Sequence, residues 1–327
     1  MSGPALRLDR LAVRIPIGAG RFVHAVDQVS LTVPAGQVVG LVGESGCGKS
    51  TLAAAVLGLL PPGSEITGRV LLRDRDLRGL PEAEYRRLRG NDIALITQDP
   101  AASLDPTFPV GHQVAEAIRN HQPIGRRAAR QRAVELLRTV GIPAAEQRYA
   151  DPPHRFSGGM KQRALIAAAL ANEPAVLLAD EPTTALDVTI QAQILFLIRD
   201  LAARIGAAVL LITHNLGVVA QICDRVAVMY AGQVVEQGTA RAVFAEPRHP
   251  YTRALLDAQP VGHDRHGDLP VIPGRVPDLS APPTGCRFAA RCGSVHERCA
   301  TAPPTVALPG GGEVACWLHA DRSTVGP

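Results

Sequence analysis

Residues 37–51, QVVGLVGESGCGKST, constrain this chain more than any other stretch. Gln37–Val42 is a short apolar run of strand type, and Leu52–Leu60 reads as a helix stopped by Pro61 and Pro62. Between them, Gly43–Ser50 fits the spacing G-x-x-x-x-G-K-[ST]. Glycines let backbone N–H groups wrap an anion, and the start of the following helix favours negative charge. Lys49 would reach the terminal phosphates of a nucleotide, and the Ser50 hydroxyl would ligate Mg2+. A glycine-rich turn with an incidental lysine is the plain alternative, and scarcity argues against it. Lys49 and Lys161 are the only lysines in 327 residues; all other basic side chains, histidine aside, are arginine. Gly43, Glu44, Ser45, Gly46, Cys47, Gly48, Lys49, Ser50 and Thr51 are therefore read as a phosphate-binding loop.

Composition narrows the remaining choices. At 46% hydrophobic and 20% charged the chain has material for a core and is no disordered tail. An aromatic share of 3% and a net charge of +4 give little support to a base-stacking nucleic-acid surface. The opening residues MSGPALRLDR lack the apolar centre of a secretory signal. The longest apolar stretches, such as Ala53–Leu60 and Ala164–Ala171, fall well short of the ~20 residues that span a bilayer. The expected setting is the cytosol, where disulfides are disfavoured.

Further along, Ala175–Ala179 reads as a buried strand that ends in two carboxylates, Asp180 and Glu181. Asp180 would reach the Mg2+ shell, and Glu181 would act as general base on a water aligned with the γ-phosphate. A second strand, AAVLLITHN, delivers His214 toward the same phosphate or water. In RFSGGMKQR, Ser157 is a natural N-cap for an Ala-rich helix over Met160–Asn172, whose first N–H groups form another anion site. One ATP needs one phosphate loop, so a second helix start points to a site completed by another subunit. Gln98 stands at the end of a strand-like stretch, Asp92–Thr97.

Together these residues resemble an ATP-binding cassette protein. The chain matches its Walker A loop (Gly43–Ser50), Q-loop (Gln98), signature (Ser157, Gly158, Gly159, Met160 and on to Gln162), Walker B (Val176–Asp180 with Glu181), D-loop (Ala185, Leu186, Asp187) and switch histidine (His214), in the family order. The resemblance implies catalytic roles for Glu181, His214 and Gln98, with Mg2+ held through Ser50, Gln98 and Asp180. It also implies that the signature residues bind the ATP of a partner subunit. Phe156 stands where Leu is usual, Met160 where Gln is common, and Thr97 where Phe precedes the glutamine. Phe22 is the candidate to stack on adenine; ordinary core packing is the competing reading for it.

The implied fold class is α/β, a P-loop NTPase cassette. It combines a mostly parallel sheet core, an N-terminal antiparallel β subdomain and a helical signature subdomain. The expected cassette covers 1–244, with its core in 1–98 and 172–244 and the helical subdomain in 99–171. RRAARQRAVELLRTVGI has apolar residues at helical spacing and arginines on a solvated face, and VAVMYAGQVVEQG reads as a hairpin turning at Ala231-Gly232. Residues 245–327 form a small Cys-rich C-terminal extension whose path runs through Pro260, Pro270, Pro273, Pro277, Pro282 and Pro283. Such a segment is expected to be a poor core-former that needs a staple.

QDPAASLDP, DEPTTALDVTIQAQI, RHPYTRALL and the cysteine tail extend the resemblance to the ATPase subunits of dipeptide, oligopeptide and nickel importers. That family implies ATP hydrolysis powering uptake of di- or oligopeptides, with nickel or another small solute as the alternative. It implies a second, non-identical cassette subunit, two membrane permeases and an extracytoplasmic solute-binding protein, with the chain peripheral on the cytoplasmic face. A soluble cassette acting on nucleic acid or ribosomes is the contrasting class. Its long coiled-coil or zinc-bearing insertions have no counterpart here, where no heptad repeat separates Ser50 from Val176.

Four of the six cysteines fall at Cys286-x5-Cys292-x6-Cys299-x16-Cys316. Structural zinc is feasible, but no tight C-x2–4-C pair occurs. A [4Fe–4S] cluster takes one thiolate per iron from separated loops and is the favoured reading, with zinc the alternative. Arg287, Arg291 and Arg298 alternate with the thiols and are expected to offset the charge of such a site. His296 and His319 are read as bystanders, Cys47 as a small filler in the phosphate loop, and Cys223 as buried.

Overall fold

The computed structural model describes residues 3–184, 186–258 and 271–320. Ala185, Pro260 and Pro270 lie outside the described residues. The strands in chain order are β1 (Pro4–Pro16), β2 (Phe22–Pro34), β3 (Val38–Val42), β4 (Glu65–Leu72), β5 (Arg75–Asp76) and β6 (Ile93–Ile96). They continue as β7 (Val176–Asp180), β8 (Ala208–Ile212), β9 (Arg225–Tyr230), β10 (Gln233–Thr239), β11 (Thr305–Leu308) and β12 (Gly312–Ala315). The chain divides into two compact units.

The first unit takes in Leu72–Ile212 with Met1–Leu6 and Val33–Val38. β7 is its axis. It pairs in parallel with β6 on one side and with β8 on the other, Asp180 lying opposite Ile212. Val176–Ala179 and Ala208–Ile212 are buried, so both strands read as continuous apolar runs, the pattern of a sheet covered on both faces. The helical part packs around Arg126–Thr139, which buries Ala129, Ala133, Val134 and Leu137 and exposes Arg126, Arg127 and Arg130. The helix expected over Met160–Asn172 runs over Gly158–Ala169, with Ser157 as its N-cap.

The second unit holds Arg7–Thr32, Val39–Leu71 and Thr213–Pro327. Here β2, β1 and β4 lie side by side, and β1 turns into β2 through a tight turn closed by the Ile17 N–H on the Arg21 carbonyl. A second sheet runs β11–β12–β10–β9–β3, parallel only between β3 and β9. The expected hairpin turns at Ala231-Gly232, both with positive φ (47° and 87°).

Two differences from the sequence reading have physical causes, one local and one long-range. The helix after the phosphate loop spans Lys49–Val56 and ends before the prolines. Gly58, at φ 63°, donates to the Ala55 carbonyl while Leu59 donates to Ala54, a Schellman closure that stops the helix at Val56, five residues ahead of Pro61. The C-terminal extension, in turn, is not left without a core. β12 pairs antiparallel with β10, and Phe288 is buried against Tyr230, Tyr251 and His249.

The step from β10 into helix Pro250–Asp257 is made by buried polar groups. Glu236, 1% exposed at a bulge in β10, accepts the N–H groups of Arg248 and His249. The buried His249 caps the helix, its Nδ1 accepting the Tyr251 N–H at 3.0 Å. Burial, with a smaller contribution from His319, pushes its pKa down to about 3. The folded chain thus disfavours a proton that the unfolded chain accepts near pH 6.5. This stability contribution is complete above about pH 6.5 and is lost as pH falls toward 3, at up to about 1.4 kcal/mol per pH unit. Replacing His249 with Asn keeps a capping oxygen and removes the titrating ring. Urea unfolding of the full chain at pH 7.5 and 5.5 should show a smaller acid penalty for this variant than for the parent.

Candidate functional site

The phosphate loop lies between β3 and helix Lys49–Val56, as its sequence requires. Its glycines answer to close backbone approaches. A Cβ at Gly48, where φ is 105°, would meet the Ala25 carbonyl oxygen at 2.1 Å; one at Gly43 would meet that of Met229 at the same distance. Either substitution would need backbone to move. Lys49 is 6% exposed, and its ammonium donates to the Gly43 and Glu44 carbonyls at 2.8 and 2.9 Å. It also donates to the Cys47 sulfur at 3.6 Å. A buried ammonium with these neutral partners is suited to take an anionic one. Ser45, Gly46 and Ser50 are exposed, and Thr51 is half-buried. Cys47 is buried, which raises its pKa against the opposing pull of Lys49, and it acts as the small filler expected.

Phe22 opens β2 half-buried, with the Arg14 guanidinium 5.5 Å from its ring centroid. His214 is exposed, two residues beyond β8 and just before Asn215, which caps helix Leu216–Ile222.

The first unit carries the carboxylates. Asp180 ends β7, and Glu181 follows with φ 47°, a left-handed conformation that a side chain other than glycine rarely adopts. Its own N–H, donating to the Ile212 carbonyl at 2.8 Å, helps to hold that backbone. The Glu181 carboxylate accepts from Gln98 Nε2 at 3.2 Å and from Thr184 Oγ1 at 2.8 Å. Gln98 and Glu181, 83 residues apart in sequence, are therefore brought together. In the same unit Ser157 Oγ accepts the Met160 N–H at 3.3 Å. A Cβ at Gly158 or Gly159 would touch Leu186 or Ile190 at 3.4 and 3.2 Å, so the two glycines let this helix start lie close to its neighbour. Asp187 is exposed and precedes helix Val188–Ile205.

The arginines of the cysteine segment are placed differently from expectation. Arg287 donates to Asp27 at 2.6 Å and to the Ala231 carbonyl. Arg291 makes a two-pronged ion pair with Glu44 of the phosphate loop. Arg298 stacks over Trp317 at 4.3 Å. Arg287 and Arg291 are thus paired with carboxylates outside the cysteine segment, whereas Arg298 has a ring and the Ala320 carbonyl as its partners. The thiols of Cys286, Cys292, Cys299 and Cys316 lie near enough to one another for their charges to interact, and burial raises the pKa of Cys292 and Cys286 and that of Cys316, to about 11. Among the described residues, however, no group of three or more His, Cys, Asp or Glu side chains is set to hold a metal ion, so the expected ligand set is not preformed. Protonated thiols have no charge to draw a metal in; binding one would deprotonate them. His319 bonds the Arg248 carbonyl at 2.9 Å. Cys223 is buried.

Comparison with known proteins matches residues 26–184 to the family described as ABC transporter. Residues 235–299 match the oligopeptide/dipeptide transporter C-terminal region. The dipeptide transport ATP-binding protein DppD of Bacillus subtilis (strain 168) is 47% identical over 307 residues, 93% of this chain and 92% of that protein. The chain belongs to the ABC transporter ATPases. The oligopeptide transport ATP-binding protein OppD of Haemophilus influenzae is 43% identical, covering 98% of both chains. Among solved structures, the dimeric ATP-binding cassette MJ0796 bound to ADP and Pi aligns with a TM-score of 0.64 at 27% identity, over 72% of this chain and 99% of that one. The cassette cbiO1 of Clostridium perfringens, part of the ABC transporter complex cbiONQ, aligns at 0.63 and 29% identity, over 74% and 91%. The chain has the P-loop cassette fold, and ATP with Mg2+ is the ligand of its family. No helix among the described residues is long and apolar enough to cross a membrane.

Proposed function

We propose that this chain is the ATP-hydrolysing subunit of a peptide importer. Its cassette would occupy 1–244 and its peptide-importer extension 245–327. The observation that carries the reading is the pair of built half-sites: a buried Lys49 awaiting an anion in a glycine loop, and a Glu181 held in a strained backbone beside Gln98. The peptide reading is supported by the match of 235–299 and by relatives that transport dipeptides and oligopeptides.

In this reading the loop N–H groups and Lys49 take the β- and γ-phosphates, and Phe22 stacks on the base. Ser50, Gln98 and Asp180 would hold Mg2+, which draws charge from the phosphates when bound. Glu181 accepts the proton of the attacking water, and His214 steadies the γ-phosphate. Ser157, Gly158, Gly159 and Met160, with Asp187, face the nucleotide of a second cassette subunit, a non-identical homologue. Two permeases hold the pair on the cytoplasmic face, and a solute-binding protein delivers the peptide. Glu181→Gln keeps the shape but cannot take a proton. It should lower ATP turnover of the assembled complex by two orders of magnitude or more while ATP still binds. Lys49→Ala should instead weaken nucleotide binding itself in a direct titration, because it removes a charge paired with phosphate. Near-normal turnover of the Glu181 variant would place the base elsewhere.

We further propose that Cys286, Cys292, Cys299 and Cys316 hold a [4Fe–4S] cluster, with structural zinc as the second reading. Four soft donors on separate turns suit either group, which would cross-link those turns when bound. Protein purified anaerobically should carry about four irons per chain. Stoichiometric zinc without iron would shift the assignment to zinc, and neither metal would remove both.

A further inference from the structure

Glu44, the second residue of the phosphate loop, has each of its polar groups engaged. Its N–H donates to the Tyr251 hydroxyl at 2.9 Å, and its carbonyl accepts from Lys49 at 2.9 Å. Its carboxylate takes both prongs of Arg291, at 2.6 and 3.0 Å. Arg291 is itself fixed: its side chain is 5% exposed, and it also donates to the Pro273 and Ile272 carbonyls and to the Tyr230 hydroxyl. Its guanidinium lies 5.7 Å from the Tyr230 ring centroid. The pair joins residues 247 positions apart, binding the turn between Cys286 and Cys292 to the nucleotide loop.

We propose that Arg291 is a positioning residue for nucleotide binding, acting through Glu44; this rests on the reading of the loop as the ATP site. A carboxylate at Glu44 is a hazard in a loop built for phosphate. Left unpaired it would repel the incoming anion and compete with it for Lys49, whose ammonium already bonds the Glu44 carbonyl. Arg291 removes that hazard by turning the carboxylate away in a rigid fork that lysine cannot reproduce. The cysteine-bearing segment thereby sets the nucleotide affinity of its own chain.

The test is equilibrium titration of the full chain with mant-ATP and Mg2+, with thermal unfolding of each variant in parallel. Arg291→Met should raise Kd at least tenfold, and Arg291→Lys by an intermediate factor. Adding Glu44→Gln to Arg291→Met should recover most of the loss, because the released carboxylate is what does the harm. Kd within twofold of the parent in Arg291→Met overturns the proposal. So does a loss that Glu44→Gln leaves in place, which would mean that Arg291 serves the fold alone. If Arg291→Met does not fold, the same comparison is made on Arg291→Lys, and recovery or its absence decides in the same way. A parent that binds no mant-ATP overturns the nucleotide reading itself, an outcome separate from one confined to the variants.

Discussion

The nucleotide reading of this chain depends on a loop whose Gly43 and Gly48 leave no room for side chains. Backbone oxygens of Ala25 and Met229 stand where Cβ atoms would project from Gly48 and Gly43. This close approach curls the loop around Lys49, whose buried ammonium has two carbonyls and the Cys47 sulfur as its partners. Neutral oxygens meet part of the cost of burying a cation, and a phosphate meets it better. Such a loop is receptive to an anion.

The same logic extends outward through the second unit. The Gly232 N–H donates to the Cys47 carbonyl, and Arg287 grips the neighbouring Ala231 carbonyl, so the β9–β10 turn is held from the loop side and from the tail side. Tyr230, Tyr251 and Phe288 fill the space between these contacts, with ring centroids 4.6–5.4 Å apart. A bidentate arginine pair that is buried costs desolvation and repays it only when every donor is used, as Arg291 achieves with its two carbonyls, its hydroxyl and Glu44. Removing one partner would be far worse than never having had the pair.

What the sequence made legible was local. Strands β3, β7 and β8 announce themselves as apolar runs, the phosphate loop by spacing, the β9–β10 turn by Ala231-Gly232, and the Ser157 cap by position. What stayed hidden was long-range or conformational. Arg287 and Arg291 read as counter-charges for their cysteine neighbours, because nothing local in a sequence points to partners 260 and 247 residues away. The extension looked coreless for the same reason: Phe288 finds its aromatic partners on β9 and on helix Pro250–Asp257, and β12 finds its edge on β10. The positive φ of Glu181 leaves no trace in the sequence either, although it fixes where the carboxylate stands.

If Arg291 couples the extension to the phosphate loop, the loop and the arginine-bearing turn respond to nucleotide as one body. Amide hydrogen exchange of the full chain, with and without Mg2+ and a non-hydrolysable ATP analogue, addresses this directly. Exchange should slow on binding both in 43–51 and in 286–292. Protection confined to 43–51, with exchange in 286–292 unchanged, would contradict that coupling.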